Sequence, residues 1–371
     1  MKERILLSSP HMSGEGFERE FVNEAFDTNW IAPLGNNVNR FEEELAEMVG
    51  TSNSLALDSG TAAIHLALKA VGVGQGDKVF CQSLTFAASA NPIMYQGAEP
   101  VFIDSEYETW NMDPEALEEA FQNHKPKAVI VVHLYGVAAQ IDKIKEICDK
   151  YDTPLIEDAA ESLGTIVNGQ WTGTFGDYGI FSFNGNKIIT TSGGGMLISE
   201  NAEGIAKAKY WATQAREPVL HYEHKDFGYN YRLSNLSAGV GRGQLKVLEQ
   251  RIQKKNDIFN RYKKAFEDIE DIIMLDDKLD ERSNRWLSPL ILKSETITPQ
   301  IVIDRLNEEN IESRPVWKPM HLQPVYKQYD FFGSEVSQVL FETGLCLPSD
   351  TKMTEEEQDK VIEVIRSVWS K

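Results

Sequence analysis

The chain has 371 residues, 42% hydrophobic and 25% charged, which fits a globular protein too large for one small core. A formal charge of −20 argues against nucleic acid or an anionic membrane as a partner, since either needs a basic face. A phosphorylated ligand would therefore have to be met by a local cluster of Arg, Lys or backbone N–H groups.

The chain opens with MKERILLSSPHMSGEGFE, which lacks the apolar core of a signal peptide. The longest apolar stretch, Lys127 to Ala139, is too short to cross a bilayer. Cys81, Cys148 and Cys346 are odd in number and widely spaced, which points to buried free thiols and a cytoplasmic setting. Met1 to Asn37 reads as irregular apart from a helix around Gly16 to Phe26, with a turn-rich loop at Asn29 to Gly35. Phe41 to Val49 is a helix stopped by Gly50.

Ser54 to Leu57 is a short buried strand. It runs through Asp58-Ser59-Gly60-Thr61 into a helix marked by Ile64, Leu68 and Val71. Small residues before a helix suit an anion at its N-terminus or simple capping by Ser59, and the local sequence leaves both open. Further strands follow at Lys78–Gln82, Pro100–Asp104, Ala128–His133 and Pro154–Glu157. Helices begin near Thr85 and span Pro114–Gln122 and Ile141–Lys150. Alternation of this kind builds a mostly parallel sheet covered on both faces, with ligands gathering at the carboxyl ends of its strands. Asp58, Phe86, His133, Asp158 and Lys187 all fall at or just past such ends and should cluster.

Tyr178 to Phe183 is an apolar strand that breaks at Asn184-Gly185-Asn186, directly before Lys187 and the later glycines Gly193 to Gly195. A lysine in that setting is a candidate Schiff-base residue for pyridoxal phosphate, since a desolvated amine is a better nucleophile and base. That chemistry also needs an acid on the pyridine nitrogen, a phosphate cup and a flat group over the ring. Asp158 is the candidate acid. Ser59, Gly60, Thr61 and Ser182 are candidate phosphate donors, and Phe86 a candidate stacking ring. Glu161 lies one turn beyond Asp158, within reach of the cofactor's ring oxygen, while Glu157 should point the opposite way along the strand.

Gly195–Ser199 is a strand, Ala202–Thr213 a helix, and Arg216–Lys225 a loop. One long helix is expected from Asn235 to about Glu267, with a change of composition near Asp268. Strands at Trp286–Leu292 and Ile311–Arg314, a helix at Pro299–Asn310, a loop at Pro315–Tyr326 and a terminal helix at Thr354–Trp369 describe a smaller unit. The expected division is a large cofactor-binding domain over 1–235 and a connecting helix with a small α/β domain over 236–371. The histidines show no HxxxH or HExxH spacing, so no metal site is expected.

The segments Asp58-Ser-Gly-Thr-Ala-Ala63, Asp158-Ala-Ala-Glu-Ser162, Gly176-Asp-Tyr-Gly-Ile-Phe-Ser-Phe-Asn-Gly-Asn-Lys187 and Gly228-Tyr-Asn-Tyr-Arg-Leu-Ser234 resemble, in order, the motifs of the DegT/DnrJ/EryC1/StrS nucleotide-sugar aminotransferases. The resemblance runs from about Asn36 to the C-terminus. It implies an α/β protein of the fold-type I (aspartate aminotransferase) class of pyridoxal phosphate enzymes, with a mostly parallel mixed sheet. It also implies a homodimer with shared active sites, and transfer of an amino group from glutamate to a nucleotide-linked keto-sugar. By position, Lys187 matches the Schiff-base lysine and Asp158 the partner of the pyridine nitrogen. Gly60, Thr61 and Ser182 match phosphate contacts, Phe86 the stacking ring, and Asn230 a phosphate contact made from the other subunit. Glu161 stands where many members have Gln or His. Many members read Ser-Phe-His before the lysine. The Ser182-Phe-Asn-Gly-Asn186 variant is most similar to the branch making UDP-4-amino-4,6-dideoxy-N-acetylglucosamine and to EpsN-like enzymes. A dTDP- or GDP-linked sugar, amination at C3, or a non-catalytic cofactor-binding regulator are the alternatives. Lys318, Arg314, His321 and Arg232 are the expected source of positive charge for the diphosphate.

Overall fold

The computed structural model describes residues 4–276 and 281–369. Its centre is an eight-stranded sheet. In spatial order the strands are Asn53–Leu57, Gly195–Ser199, Tyr178–Ser182, Leu155–Asp158, Ala128–Val132, Lys78–Gln82, Glu99–Ile103 and Phe331–Phe332. Gly195–Ser199 runs antiparallel to both neighbours, and the other pairs are parallel. The sheet is therefore mixed and mostly parallel, as expected. All five residues of Ala128–Val132 are buried, because helices cover both faces and no position can be given to a polar side chain. One face packs on Ile64 and Leu68, the other on Leu117 and Ile144.

Beyond residue 235 the sequence-based picture needs correction. The expected single helix is two, Asn235–Leu245 and Leu248–Phe266. The first packs against the N-terminal helices Phe17–Asp27 and Asn36–Val49. Its glycines make this possible at backbone distance: a β-carbon on Gly241 would lie 2.6 Å from the Phe41 ring, and one on Gly243 would lie 2.5 Å from the Glu18 nitrogen. The second helix buries Leu248, Ile252, Lys255, Ile258, Phe259 and Tyr262 on one stripe. The break falls where the chain passes from one packing partner to the next, with neither Gly nor Pro to mark it in the sequence.

A four-stranded antiparallel sheet, in the order Ile272–Met274, Ser288–Leu292, Gly344–Leu347 and Arg314–Pro315, forms the smaller unit. The strand expected at Ile311–Arg314 is shorter and later, and Ile311 instead bridges Ile5. Two pieces cross the expected 235/236 division. Ile5 belongs to the core of the smaller unit, and Phe331–Phe332 adds an edge strand to the large sheet. The terminal helix, Glu355–Trp369, starts in a capping box: Glu357 N donates to Thr354 Oγ1 at 3.2 Å and Thr354 N to Glu357 Oε2 at 2.9 Å. All three cysteines are free and buried.

Candidate active site

The site forms at the carboxyl ends of the central strands. Asp158 closes the strand Leu155–Asp158 and is 5% exposed. Its Oδ2 accepts a hydrogen bond from Ser89 Oγ at 2.6 Å, and its Oδ1 one from Ala160 N at 3.2 Å. Ser89 sits on the helix Ala87–Tyr95, which starts directly after Phe86. Burial pushes the Asp158 carboxyl above its usual range; the Ser89 hydroxyl, Lys187 and the Ala160 N–H act against that push.

Glu161 is 4% exposed. Its Oε1 lies 3.4 Å from Lys187 Nζ, and its Oε2 accepts from the backbone N–H of Tyr135 at 2.7 Å. Burial raises this carboxyl too, and Lys187 opposes the rise. Tyr135 is fully buried with φ 54°, a left-handed conformation that costs a residue with a side chain of order 1 kcal/mol or more. The strain is spent on aiming its N–H at Glu161.

Lys187 lies in the turn after Tyr178–Ser182 with its side chain 13% exposed. Its Nζ stands over the Trp286 ring, 4.0 Å from the centroid. Trp286 comes from the smaller unit and is held there by its neighbours. Asn284 Oδ1 accepts from Trp286 N at 2.9 Å, while Asn284 Nδ2 donates to the carbonyls of Glu161 (2.8 Å) and Leu163 (2.9 Å).

Gly60 begins the helix Gly60–Ala70, and Ser59 caps it, accepting from Ala62 N at 3.1 Å. Capping is thus one of the two roles the sequence left open for Ser59, and it leaves the first-turn N–H groups at the helix end. A β-carbon on Gly60 would lie 3.3 Å from Ser182 Cβ, so the two candidate phosphate residues adjoin. Gly195 presses on the same turn, where a β-carbon would come within 2.4 Å of the Ser59 carbonyl. The cradle depends on those missing side chains. Phe86 is 60% exposed, an apolar face free to cover a planar ligand, with Trp317 at 5.5 Å between centroids.

Other candidates are placed elsewhere. His133 does not join the cluster. Its Nε2 faces Glu157 Oε2 at 3.0 Å and its Nδ1 accepts from Ala139 N at 3.1 Å, which puts the proton on Nε2. Glu157 points away from Asp158, as strand alternation requires, and also accepts from the N–H groups of Gly173, Phe175 and Gly176. Arg232 turns inward, with Nη1 2.7 Å from Glu42 Oε1 and 2.9 Å from the Ala56 carbonyl, so it supplies no free charge to a ligand. His321 is not a cation source either. Its Nδ1 meets Ser83 Oγ at 2.7 Å, its ring stacks on Phe331, and burial pushes its pKa down.

Arg314 and Lys318 do line a cavity of about 550 Å3, together with Phe86, Asn186, Trp286 and Trp317. Arg314 also pairs with Glu312 at 3.0 Å. Asn230 lies apart from Lys187, on a groove of about 540 Å3 shared with Arg216, His224 and Arg232. Ser89, Tyr135, Trp286 and Trp317 are residues that sequence reasoning missed. Only Ser89 carried a signal, one helical turn after Phe86.

The donor set fits pyridoxal phosphate: an amine, a buried carboxylate, a glycine-lined helix N-terminus beside a hydroxyl, and an exposed ring. Fold and site together define a fold-type I pyridoxal phosphate transferase. A family model for the DegT/DnrJ/EryC1/StrS aminotransferases matches residues 13–366, and the chain belongs to that family. It is 54% identical to EpsN of Bacillus subtilis, named provisionally as a pyridoxal phosphate-dependent aminotransferase, over 98% of this chain and 96% of EpsN. It is 35% identical to the GDP-perosamine synthase of Caulobacter vibrioides, over 98% of each chain. The PLP-form of Spr1654 from Streptococcus pneumoniae, titled provisionally a sugar aminotransferase, superposes with a TM-score of 0.90 at 26% identity. That match covers 99% of this chain and 98% of Spr1654.

The Asp158 environment generates a prediction. A carboxyl whose folded pKa is raised costs stability once ionised; the cost is absent below the unfolded value and appears as pH rises through the folded one. Asp158→Asn should therefore leave the melting temperature of the cofactor-free protein at neutral pH equal to or above that of the wild type. Turnover should fall at least about 100-fold, the scale of losing one preorganised electrostatic contact. Differential scanning calorimetry and an amino-transfer assay check the two halves.

Proposed function

We propose that this aminotransferase moves an amino group from glutamate to the 4-keto group of a nucleotide-linked 4-keto-6-deoxy sugar. UDP-2-acetamido-2,6-dideoxy-4-keto-hexose is the first candidate acceptor, and surface polysaccharide or glycan synthesis the destination. The observation that carries this reading is the cavity beside Lys187. Trp317, beside Phe86, offers an apolar face of the size of a sugar ring, and Lys318 and Arg314, the latter shared with Glu312 on the same wall, offer cations for a diphosphate. A site for a small keto acid alone would need neither. A GDP-linked sugar is the second reading, favoured by the likeness to the perosamine synthase.

Lys187 would hold the cofactor's aldehyde carbon, Asp158 its ring nitrogen, Gly60, Thr61 and Ser182 its phosphate, and Phe86 its ring face. When bound, pyridoxal phosphate supplies an electron sink that lets an amino group pass between an amine carbon and a carbonyl carbon. Asp158, buried at the end of its strand, would favour a protonated nitrogen opposite it when ionised. Lys187 would be the amine that carries a proton between neighbouring carbons, and Glu161, 3.4 Å from its Nζ, the group with which it could share that proton.

Asn230 faces its own groove rather than Lys187, which supports a homodimer in which it completes the partner's site. Among the described residues no helix is long and apolar enough to cross a membrane. A cytoplasmic setting belongs to the proposal.

A product assay over UDP-, dTDP- and GDP-linked 3-keto and 4-keto sugars, with glutamate as donor, tests the reading. Amination of a 4-keto UDP sugar is expected, and amination of GDP sugars alone would move the assignment to the second reading. On the substrate so identified, the double change Arg314→Glu and Lys318→Glu should raise KM about 10-fold, the scale of one charge-assisted contact, with kcat little changed. Steady-state kinetics at low salt read the split.

A further inference from the structure

Behind the site lies a second lysine that the chemistry above does not use. Lys255, on the helix Leu248–Phe266, is 2% exposed. Its Nζ donates to the Trp286 carbonyl at 2.8 Å and to Ser8 Oγ at 3.3 Å. Ser8 Oγ donates onward to the Asn186 carbonyl at 2.9 Å, and Trp286 Nε1 reaches that same carbonyl at 2.7 Å. The four hydrogen bonds close a ring through the N-terminal segment, the second long helix, the smaller unit and the catalytic turn. The Asn186 carbonyl belongs to the peptide bond that joins Asn186 to Lys187. On its other side that peptide is held by Lys187 N, which donates to the Asn184 carbonyl at 3.0 Å.

We propose that Lys255 is a positioning residue for amino transfer, holding the Asn186–Lys187 peptide through Ser8 and Trp286, so that the Lys187 amine stays over the Trp286 ring and beside Glu161. The inference rests on the reading of Lys187 as the reacting lysine. Its physical basis is that a side chain is aimed by its own backbone. A small rotation of this peptide plane, carried along the lysine stem, moves Nζ by an amount that matters to a reaction requiring near-contact alignment.

The arrangement has a cost that marks it as more than packing. Burial pushes the Lys255 amine down to about 7, against the opposing effect of Asp350, which Ser9 Oγ contacts. An amine whose folded pKa lies below its unfolded one binds fewer protons in the fold. Folding is therefore penalised as pH drops below the unfolded value, and the penalty levels off beneath the folded value. A chain of similar length without the nitrogen would escape that penalty. A lysine kept for stability alone is a poor choice here, whereas one kept to donate to two acceptors at once is a fitting one.

The test uses the full-length protein with Lys255→Met, and Ser8→Ala as a second variant that breaks the link to Asn186 while leaving the buried amine in place. For Lys255→Met four results are expected. Borohydride still fixes the cofactor on Lys187. The cofactor-free protein melts no lower than the wild type at neutral pH. Amide exchange, read by mass spectrometry on the cofactor-free protein, quickens at Asn186 and Lys187. kcat falls about 10-fold with KM for the nucleotide sugar little changed, as misalignment of a reacting group requires. Ser8→Ala should quicken the same amides and lower kcat less. Unchanged exchange at these amides, or an unchanged kcat, in either variant overturns the proposal. So does a lower melting temperature with kcat unaffected, the mark of a purely structural residue. Loss of borohydride labelling at Lys187 in the wild type would instead overturn the reading of the site itself, so the two failures are separable.

Discussion

Desolvation of charge sets the terms for everything around Lys187. An amine and two carboxyls, Glu161 and Asp158, share a site almost closed to water, and each must be matched by a fixed dipole or an opposite charge. The structure answers with the Tyr135 N–H on Glu161, the Ser89 hydroxyl and Ala160 N–H on Asp158, and the Trp286 π-face under the lysine. Each of these partners is supplied by a different element, so the site exists only when the sheet, the helix after Phe86 and the smaller unit are docked together. The strained Tyr135 backbone and the buried Lys255 amine are further costs accepted to keep that arrangement.

The same logic separates residues that hold the site from residues that only stand near it. His133 and Glu157 form an equally buried pair one residue away along the adjoining strands, but their bonds are directed at each other and at backbone N–H groups. They carry structure. Lys187 and Glu161 instead face each other at 3.4 Å, and the Lys187 amine also stands over the Trp286 ring. Arg314 and Lys318 remain on its wall, whereas Arg232 and His321 are drawn into bonds with Glu42 and Ser83.

Most of the large sheet was legible in the sequence, because a strand buried on both faces is written as a continuous apolar run, as in Ala128–Val132. The helix cap at Ser59 was among the readings the sequence offered for a similar reason: the side chain acts within three residues of itself. Lys187 and Asp158 stood out through their position at strand ends and through the family motifs. Contacts across long separations were not legible. Trp286 lies about a hundred positions from Lys187, and nothing beside it in the chain announces the meeting. The break after Leu245 lacked a glycine or proline because tertiary packing, not local propensity, decides it. The direction in which Arg232 and His321 turn depends on Glu42 and Ser83, partners that no local pattern reveals.

The link between the sheet's chemistry and the cavity is one covalent claim, and it can be measured directly. The purified holoprotein would be reduced with borohydride, digested, and mapped by mass spectrometry for the residue bearing the cofactor. Label on Lys187, with Lys255 unmodified, is the expected outcome and would fix the site at the ends of the central strands. Label on Lys255 or another lysine, or no covalent adduct in a protein that still transfers amino groups, would contradict it.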